Sequence, residues 1–169
     1  MKIPVERLKM KKDSEIFLQQ LLEAPSPSGF EQPAAKIFRD RVKDHADKLI
    51  HDVHGNSIAV LNPKADFKFM ITGHIDEIGL MITYIDDNGF LYVAQIGGMD
   101  PSLLVGQRVK IITEKGPVFG VIGRKAIHMM EPEERKKNVQ MKNIWIDIGA
   151  KDKKDALKRV SIGDPMIVD

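Results

Sequence analysis

From Asp13 the stretch DSEIFLQQLLEA places Ile16, Phe17, Leu21 and Leu22 on one stripe at helical spacing, with Asp13 or Ser14 available as cap and Pro25 as terminator. A second helical pattern follows in PSPSGFEQPAAKIFRDRVKDHAD, where Ala34, Ile37, Phe38 and Val42 repeat on one face. Ser28 and Glu31 have the spacing of a capping box, and Pro33 fits only in a first turn, so this helix is predicted to start nearer Glu31 than Gly29. After Asp47 the period switches to two, in KLIHDV, NSIAVLN and FKFMITG, with His54-Gly55-Asn56 as the turn between the first two strands.

From Ile78 onward nearly everything is strand-like: IGLMITYI, a turn at Asp87-Asn88-Gly89, FLYVAQI, QRVKIITE, a turn at Lys115-Gly116, PVFGVIG, NIWIDIG and DPMIVD. Closely spaced strands with glycine-rich turns predict a small barrel or sandwich. Two polar stretches interrupt them. EPEERKKN reads as an exposed loop or a single helical turn, and KDKKDALKRV as a short helix with Ala156, Leu157 and Val160 inward. There is no internal repeat and no low-complexity linker, so a domain boundary falls between residues 76 and 80 as a direct strand-to-strand passage.

Composition narrows the function classes. The 169 residues are 43% apolar, enough for one sizeable core or two small ones. Lys plus Arg number 26 against 24 acidic residues, and a net charge of +2 gives no reason to expect nucleic acid or a membrane surface as partner. The lead-in MKIPVERLKMKK is basic but lacks an apolar h-region, and no run approaches transmembrane length. Cysteine is absent, which removes disulfides and thiolate-ligated zinc and leaves imidazole and carboxylate as metal donors; it also fits a cytoplasmic protein.

The chemistry concentrates in MITGHIDEIGL, where His74, Asp76 and Glu77 interrupt an apolar run between Gly73 and Gly79. Buried ionisable groups are costly unless paired or bound to metal. In extended backbone His74 and Asp76 share one face and Glu77 points to the other. A metal-ligating histidine commonly gives its second ring N–H to a carboxylate, so His-x-Asp supplies a ligand and its support in three residues. The same pair also reads as an ordinary salt-linked pair on a solvated strand end. A glycosidase pairing of Asp76 with Glu77 fails because adjacent strand residues face opposite sides. His45, His51 and His54 fall in surface or turn contexts, and His128 begins an irregular loop. Met10, Met70, Met81, Met99, Met129, Met130 and Met141 read as core or rim filler. No nucleophile elbow, P-loop or dinucleotide fingerprint occurs.

The pieces PSPSGFE, HDVHGNSIAVL, MITGHIDEIGLMITYIDDNGFLYVAQIGGMDPSLLVGQRVKI, GVIGRKAIHMMEPEERKK and IWIDIGAKDKKDA resemble, in order and spacing, the glutamyl aminopeptidase-like dinuclear metalloaminopeptidases. That family includes the tetrahedral aminopeptidases and some members labelled endoglucanases. The resemblance runs from about Ser14 to the last residue. It implies an α/β fold: a partial zinc-peptidase-type α/β domain over residues 1–77, an inserted small β-barrel over 78–165, and the start of a return strand over 166–169. It also implies that His74 ligates one of two divalent ions, zinc or cobalt, with Asp76 orienting it in the catalytic site. Peptides would be the substrates, and the barrel would serve assembly into a homo-oligomer. The bridging aspartate, the glutamate pair and the final histidine of the family have no counterpart here, so the chain is expected to be a catalytically incomplete N-terminal portion. The alternative is a non-catalytic barrel module acting in subunit association. Either way, strands before His74 that lack sheet neighbours would expose edges that favour a dimer or larger species.

Overall fold

A computed structural model describes residues 10–169; the first nine residues of the basic lead-in lie outside the described part. The chain divides into two compact units, one made of residues up to Ser26 together with Glu31–Ile75, the other of Pro27–Phe30 together with Asp76–Asp169.

The first unit opens with helix α1, Lys12–Glu23, and helix α2, Gln32–Val42. The cap position of α1 is Lys11, with no side-chain capping bond, so neither Asp13 nor Ser14 serves as cap. Asp13 sits inside the first turn, where a carboxylate is favoured by the helix dipole. It pairs with Arg41 of α2 at 2.6 Å, and that guanidinium lies 5.4 Å from the centre of the Phe17 ring. Helix α2 starts where Pro33 requires and buries Ala34 and Ala35, whereas α1 buries no residue and leaves Leu22 72% exposed.

Strands β1, Lys48–His51, and β2, Ser57–Val60, form an antiparallel hairpin with Lys48 opposite Val60 and His51 opposite Ser57. Its turn needs Gly55, at φ +90°, and it is organised by the Asp52 carboxylate. That carboxylate accepts from the His54 and Asn56 amides at 3.0 and 2.9 Å and from Asn56 Nδ2 at 2.8 Å. The strand predicted in FKFMITG does not form. No named strand lies between Val60 and Gly79, and Phe67, Phe69, Met70 and Ile71 are 80, 78, 80 and 86% exposed. An apolar alternating run becomes a strand only where a neighbour completes its hydrogen bonds, and none does so among the described residues. Met70 therefore fills no core.

The second unit is a closed antiparallel barrel. Its strands are β3 (Gly79–Ile85), β4 (Leu91–Ile96), β5 (Arg108–Ile111), β6 (Val118–Arg124), β7 (Ile144–Asp147) and β8 (Pro165–Val168), in the order β3-β4-β7-β6-β5-β8. Strand β8 pairs with both β3 and β5. Residues 166–168, read from sequence as the start of a return strand, are thus the strand that closes the barrel. The core is Leu80, Ile82, Ile85, Leu91, Val93, Val109, Ile111, Ile122, Ile144, Ile146 and Met166, sealed by Leu104, Ile148, Ala156 and Val160. The register of β3 against β4 shifts between Ile82 and Tyr84. This bulge lets Ile82 and Ile85 both face inward although they are three residues apart, an odd separation that strict alternation would put on opposite faces.

Closure consumes every edge, so the barrel has no open row of backbone donors. Between the strands lie the short helix α3, Pro101–Leu104, capped by Asp100, the single turn α4, Pro132–Arg135, and the short helix α5, Lys153–Ala156, capped by Asp152. Ala156 and Val160 point inward as read from the sequence, but Leu157 is 49% exposed, because α5 ends at Ala156 before a second turn can bring it round.

Several carboxylates hold these elements together. Asp155 accepts from the Lys151 amide and from Arg159, Asp13 from Arg41, Asp52 from Asn56 and Glu134 from Lys125, and each is held below its ordinary pKa by those donors. A depressed carboxyl contributes stability that is present above its unfolded value and lost as pH falls through the folded one. The melting temperature is therefore expected to drop as pH goes below about 4, and Asp155→Asn to flatten part of that drop. A melting temperature that rises on acidification would contradict this sign.

Candidate active site

The turn Pro27-Ser28-Gly29-Phe30 is closed by the Phe30 amide donating to the Pro27 carbonyl at 2.8 Å. Gly29 has φ +92°, the left-handed value that a type II turn demands at its third position. Pro27 is fully buried and its backbone forms a parallel bridge with Glu77. This close approach depends on Gly79, where an added Cβ would stand 2.7 Å from the Met166 carbonyl oxygen and 2.8 Å from Pro27 Cβ. Gly79→Ala is expected to cost about 1–3 kcal/mol, since one of the atoms in the way is backbone and must shift. Chemical denaturation would measure it, and a neutral result would mean that Pro27 does not pack against Gly79.

The turn delivers Ser28 to Asp76. Ser28 Oγ donates to Asp76 Oδ2, in a bond that is half-buried and spans 48 residues. The capping role read for Ser28 is not realised, because Glu31 occupies the cap position of α2 and Ser28 lies outside the helix. The sequence carried the local signal, a serine before a turn glycine, but no pattern at such a separation could name the partner.

The His74–Asp76 segment runs outside any named strand, so the paired strand that the alternation argument presumed is absent among the described residues. The environments differ: His74 is exposed, whereas Asp76 and Glu77 are half-buried. Among the described residues, no group of three or more His, Asp or Glu side chains stands close enough to hold a metal ion. The other histidines are apart from this segment in role. His45 follows α2, His51 lies on β1 with Nδ1 3.3 Å from the Asn56 carbonyl oxygen, His54 is in the hairpin turn, and His128 lies in a short 3-10 turn over Ile127–Met129. Chemically, the arrangement offers an accessible imidazole two residues from a carboxylate that has one oxygen already fixed by a hydroxyl.

Residues 55–169 match the M42 glutamyl aminopeptidase family. An Acetivibrio thermocellus protein named as a candidate aminopeptidase is 41% identical over 137 residues, which is 81% of this chain and 39% of that protein. The crystal structure of a TET aminopeptidase from a marine sediment Thaumarchaeota archaeon superposes with a TM-score of 0.88 at 34% identity, covering 92% of this chain and 44% of that one. The TET1 peptidase of Pyrococcus horikoshii, described as able to assemble into a tetrahedron or a large octahedral shell, superposes at 0.81 with 35% identity, covering 91% and 46%. The chain thus spans less than half the length of the relatives it matches. With the family matched across both the turn-linked segment and the whole barrel, this chain belongs to the M42 glutamyl aminopeptidase family.

Proposed function

We propose that this chain supplies the N-terminal part of a metal-dependent aminopeptidase that releases N-terminal residues from peptides through a two-metal-activated water. The observation that supports it is the His74-x-Asp76 segment, with Asp76 held by Ser28, in a chain of the M42 family. In this reading α1, α2, β1 and β2 begin a zinc-peptidase-type α/β domain that the barrel interrupts. His74 offers one ring nitrogen as ligand to one of two divalent ions, zinc or cobalt, and Asp76 fixes the tautomer of the ring. The described residues gather no group of three donors, whereas one catalytic zinc takes about three protein ligands. They do not fit the ion pair by themselves, so the remaining ligands and the glutamate base come from outside them.

Assembly into a homo-oligomer through the barrel belongs to the same reading, and the likeness to the Pyrococcus horikoshii peptidase, which can assemble into a tetrahedron or a large octahedral shell, supports the oligomer. Peptides, not nucleic acids or membranes, suit a net charge of +2, and the lack of cysteine suits the cytoplasm. No helix of the described residues is long and apolar enough to cross a membrane.

A second reading, a non-catalytic assembly module, is favoured by one feature: the barrel is closed and has its own core. Fusing this chain to the part of the Acetivibrio thermocellus relative that it does not span separates the two. The fusion is expected to release amino acids from aminoacyl anilides in a chelator-sensitive way, and the 169-residue chain alone is expected to release none. A folded fusion without activity would leave the assembly module as the better reading, and turnover by the chain alone would overturn its incompleteness.

A further inference from the structure

We propose that Asn88 is a site of spontaneous deamidation, and that the Asp86 carboxylate sets its rate by holding shut the turn in which it lies. In this reaction the backbone nitrogen of the next residue attacks the asparagine Cγ. Its proton passes to the departing amide, ammonia leaves, and a cyclic succinimide remains. Water then opens the ring at one carbonyl or the other, giving aspartate or isoaspartate. A side chain on the attacking residue crowds its nitrogen, so a following glycine is the most permissive neighbour. Of the asparagines, Asn88 alone precedes a glycine. Asn62 precedes Pro63, which has no N–H to give up, and Asn56, Asn138 and Asn143 precede Ser57, Val139 and Ile144.

Asn88 is exposed, so water reaches its side chain, but the turn restrains the nitrogen that must attack. Asp87, Asn88 and Gly89 form the loop between β3 and β4, closed by the Asp86 amide donating to the Phe90 carbonyl at 3.0 Å. Gly89 takes φ +86°, the left-handed value that the last residue of such a loop requires. Its N–H donates to the Asp86 carbonyl at 3.0 Å, so the proton that must leave is engaged. Asp86 Oδ1 accepts from the Asn88 and Phe90 amides at 3.0 and 2.9 Å, which pins the loop on both sides of Gly89. The far side is packed as well. A Cβ on Gly89 would stand 2.9 Å from the Asp152 carbonyl oxygen, and the Lys153 amide donates to the Asp87 carbonyl at 3.2 Å. Attack therefore waits for the loop to open. The products do not fit back: aspartate sets another carboxylate beside Asp86 and Asp87, and isoaspartate adds a main-chain carbon where Gly89 has no room.

The test incubates the 169-residue chain, Asp86→Ala and Asp86→Asn in mildly alkaline buffer below their melting temperatures, with the parent in denaturant as the open reference. Peptide mass mapping with isoaspartate detection locates the product and gives its rate. Asn88 is expected to react before any other asparagine, and about tenfold or more slowly in the folded parent than in denaturant. Asp86→Ala removes the acceptor of two amides and is expected to react about fivefold or more faster than the folded parent. Asp86→Asn keeps a side-chain oxygen that can accept and stays near the parental rate. In reacted parent the Lys153 amide exchanges faster, because its bond to the loop is loosened. The proposal is overturned if another asparagine reacts first, if the folded parent reacts as fast as it does in denaturant, or if Asp86→Ala is no faster than the parent. It is equally overturned if Asp86→Asn reacts like Asp86→Ala, or if Asp86→Ala is unfolded at the incubation temperature, which would make Asp86 a fastener of the fold. None of these outcomes bears on the aminopeptidase reading.

Discussion

Ile146→Ala is expected to destabilise the barrel by about 3–5 kcal/mol, a large part of the 5–15 kcal/mol by which a domain of this size is ordinarily stable. Ile146 is fully buried at the middle of β7, opposite Leu91 on β4 and Ile122 on β6, both of which are also buried. Its Cγ2 already lies 2.6 Å from where a Cβ on Gly120 would stand, so β6 is drawn against it as closely as a glycine permits. Removing three carbons leaves a void that the neighbours cannot fill, since each strand around it is held on both sides by the closed ladder. Denaturant unfolding monitored at Trp145 would give the loss directly, with Leu157→Ala, at a 49% exposed position, as a control expected to cost under about 1 kcal/mol. Equal losses at the two positions would mean that the core is not where the barrel puts it.

His74→Ala in the fusion is expected to lower kcat/KM by about 100-fold or more, equivalent to about 2.7 kcal/mol of transition-state stabilisation. In the proposed reading His74 is a ligand, and losing a ligand removes an ion rather than a contact. His74 is exposed, so truncating it leaves little void and the melting temperature should stay close to that of the parent fusion. The same substitution at His51, which is also exposed but lies on β1 beside the Asn56 carbonyl, should leave kcat/KM within about twofold. Steady-state release from an aminoacyl anilide, with metal content measured on the same samples, separates the outcomes. Loss of activity without loss of metal would make His74 something other than a ligand, and equal losses at His51 and His74 would place the cause in folding.

The elements that could be read along the chain are those whose pattern is completed nearby. The α2 start was legible because Pro33 allows only a first-turn position, and the β1–β2 hairpin because Gly55 interrupts two alternating runs. The barrel strands were legible as strands, and six of them with glycine turns suggested a small barrel or sandwich, but neither closure nor strand order was legible, since β7 inserts between β4 and β6 from far along the chain. Two of the misreadings have a common origin. FKFMITG has every local property of a strand and no neighbour among the described residues to make it one, while Ser28 has the spacing of a cap and a partner too distant to appear in any window.

The amino-acid sequence by itself determined which segments could be helix or strand, that metal donors must be imidazole or carboxylate, and that His74 and Asp76 stand together within three residues, because propensity, cysteine content and spacing are local properties. Only the tertiary structure decided that β8 closes the barrel, that the bulge in β3 turns Ile82 and Ile85 to one core, and that Ser28 meets Asp76. Those outcomes depend on which distant backbones approach closely enough to exchange hydrogen bonds, and that approach is set by the packing of the whole unit.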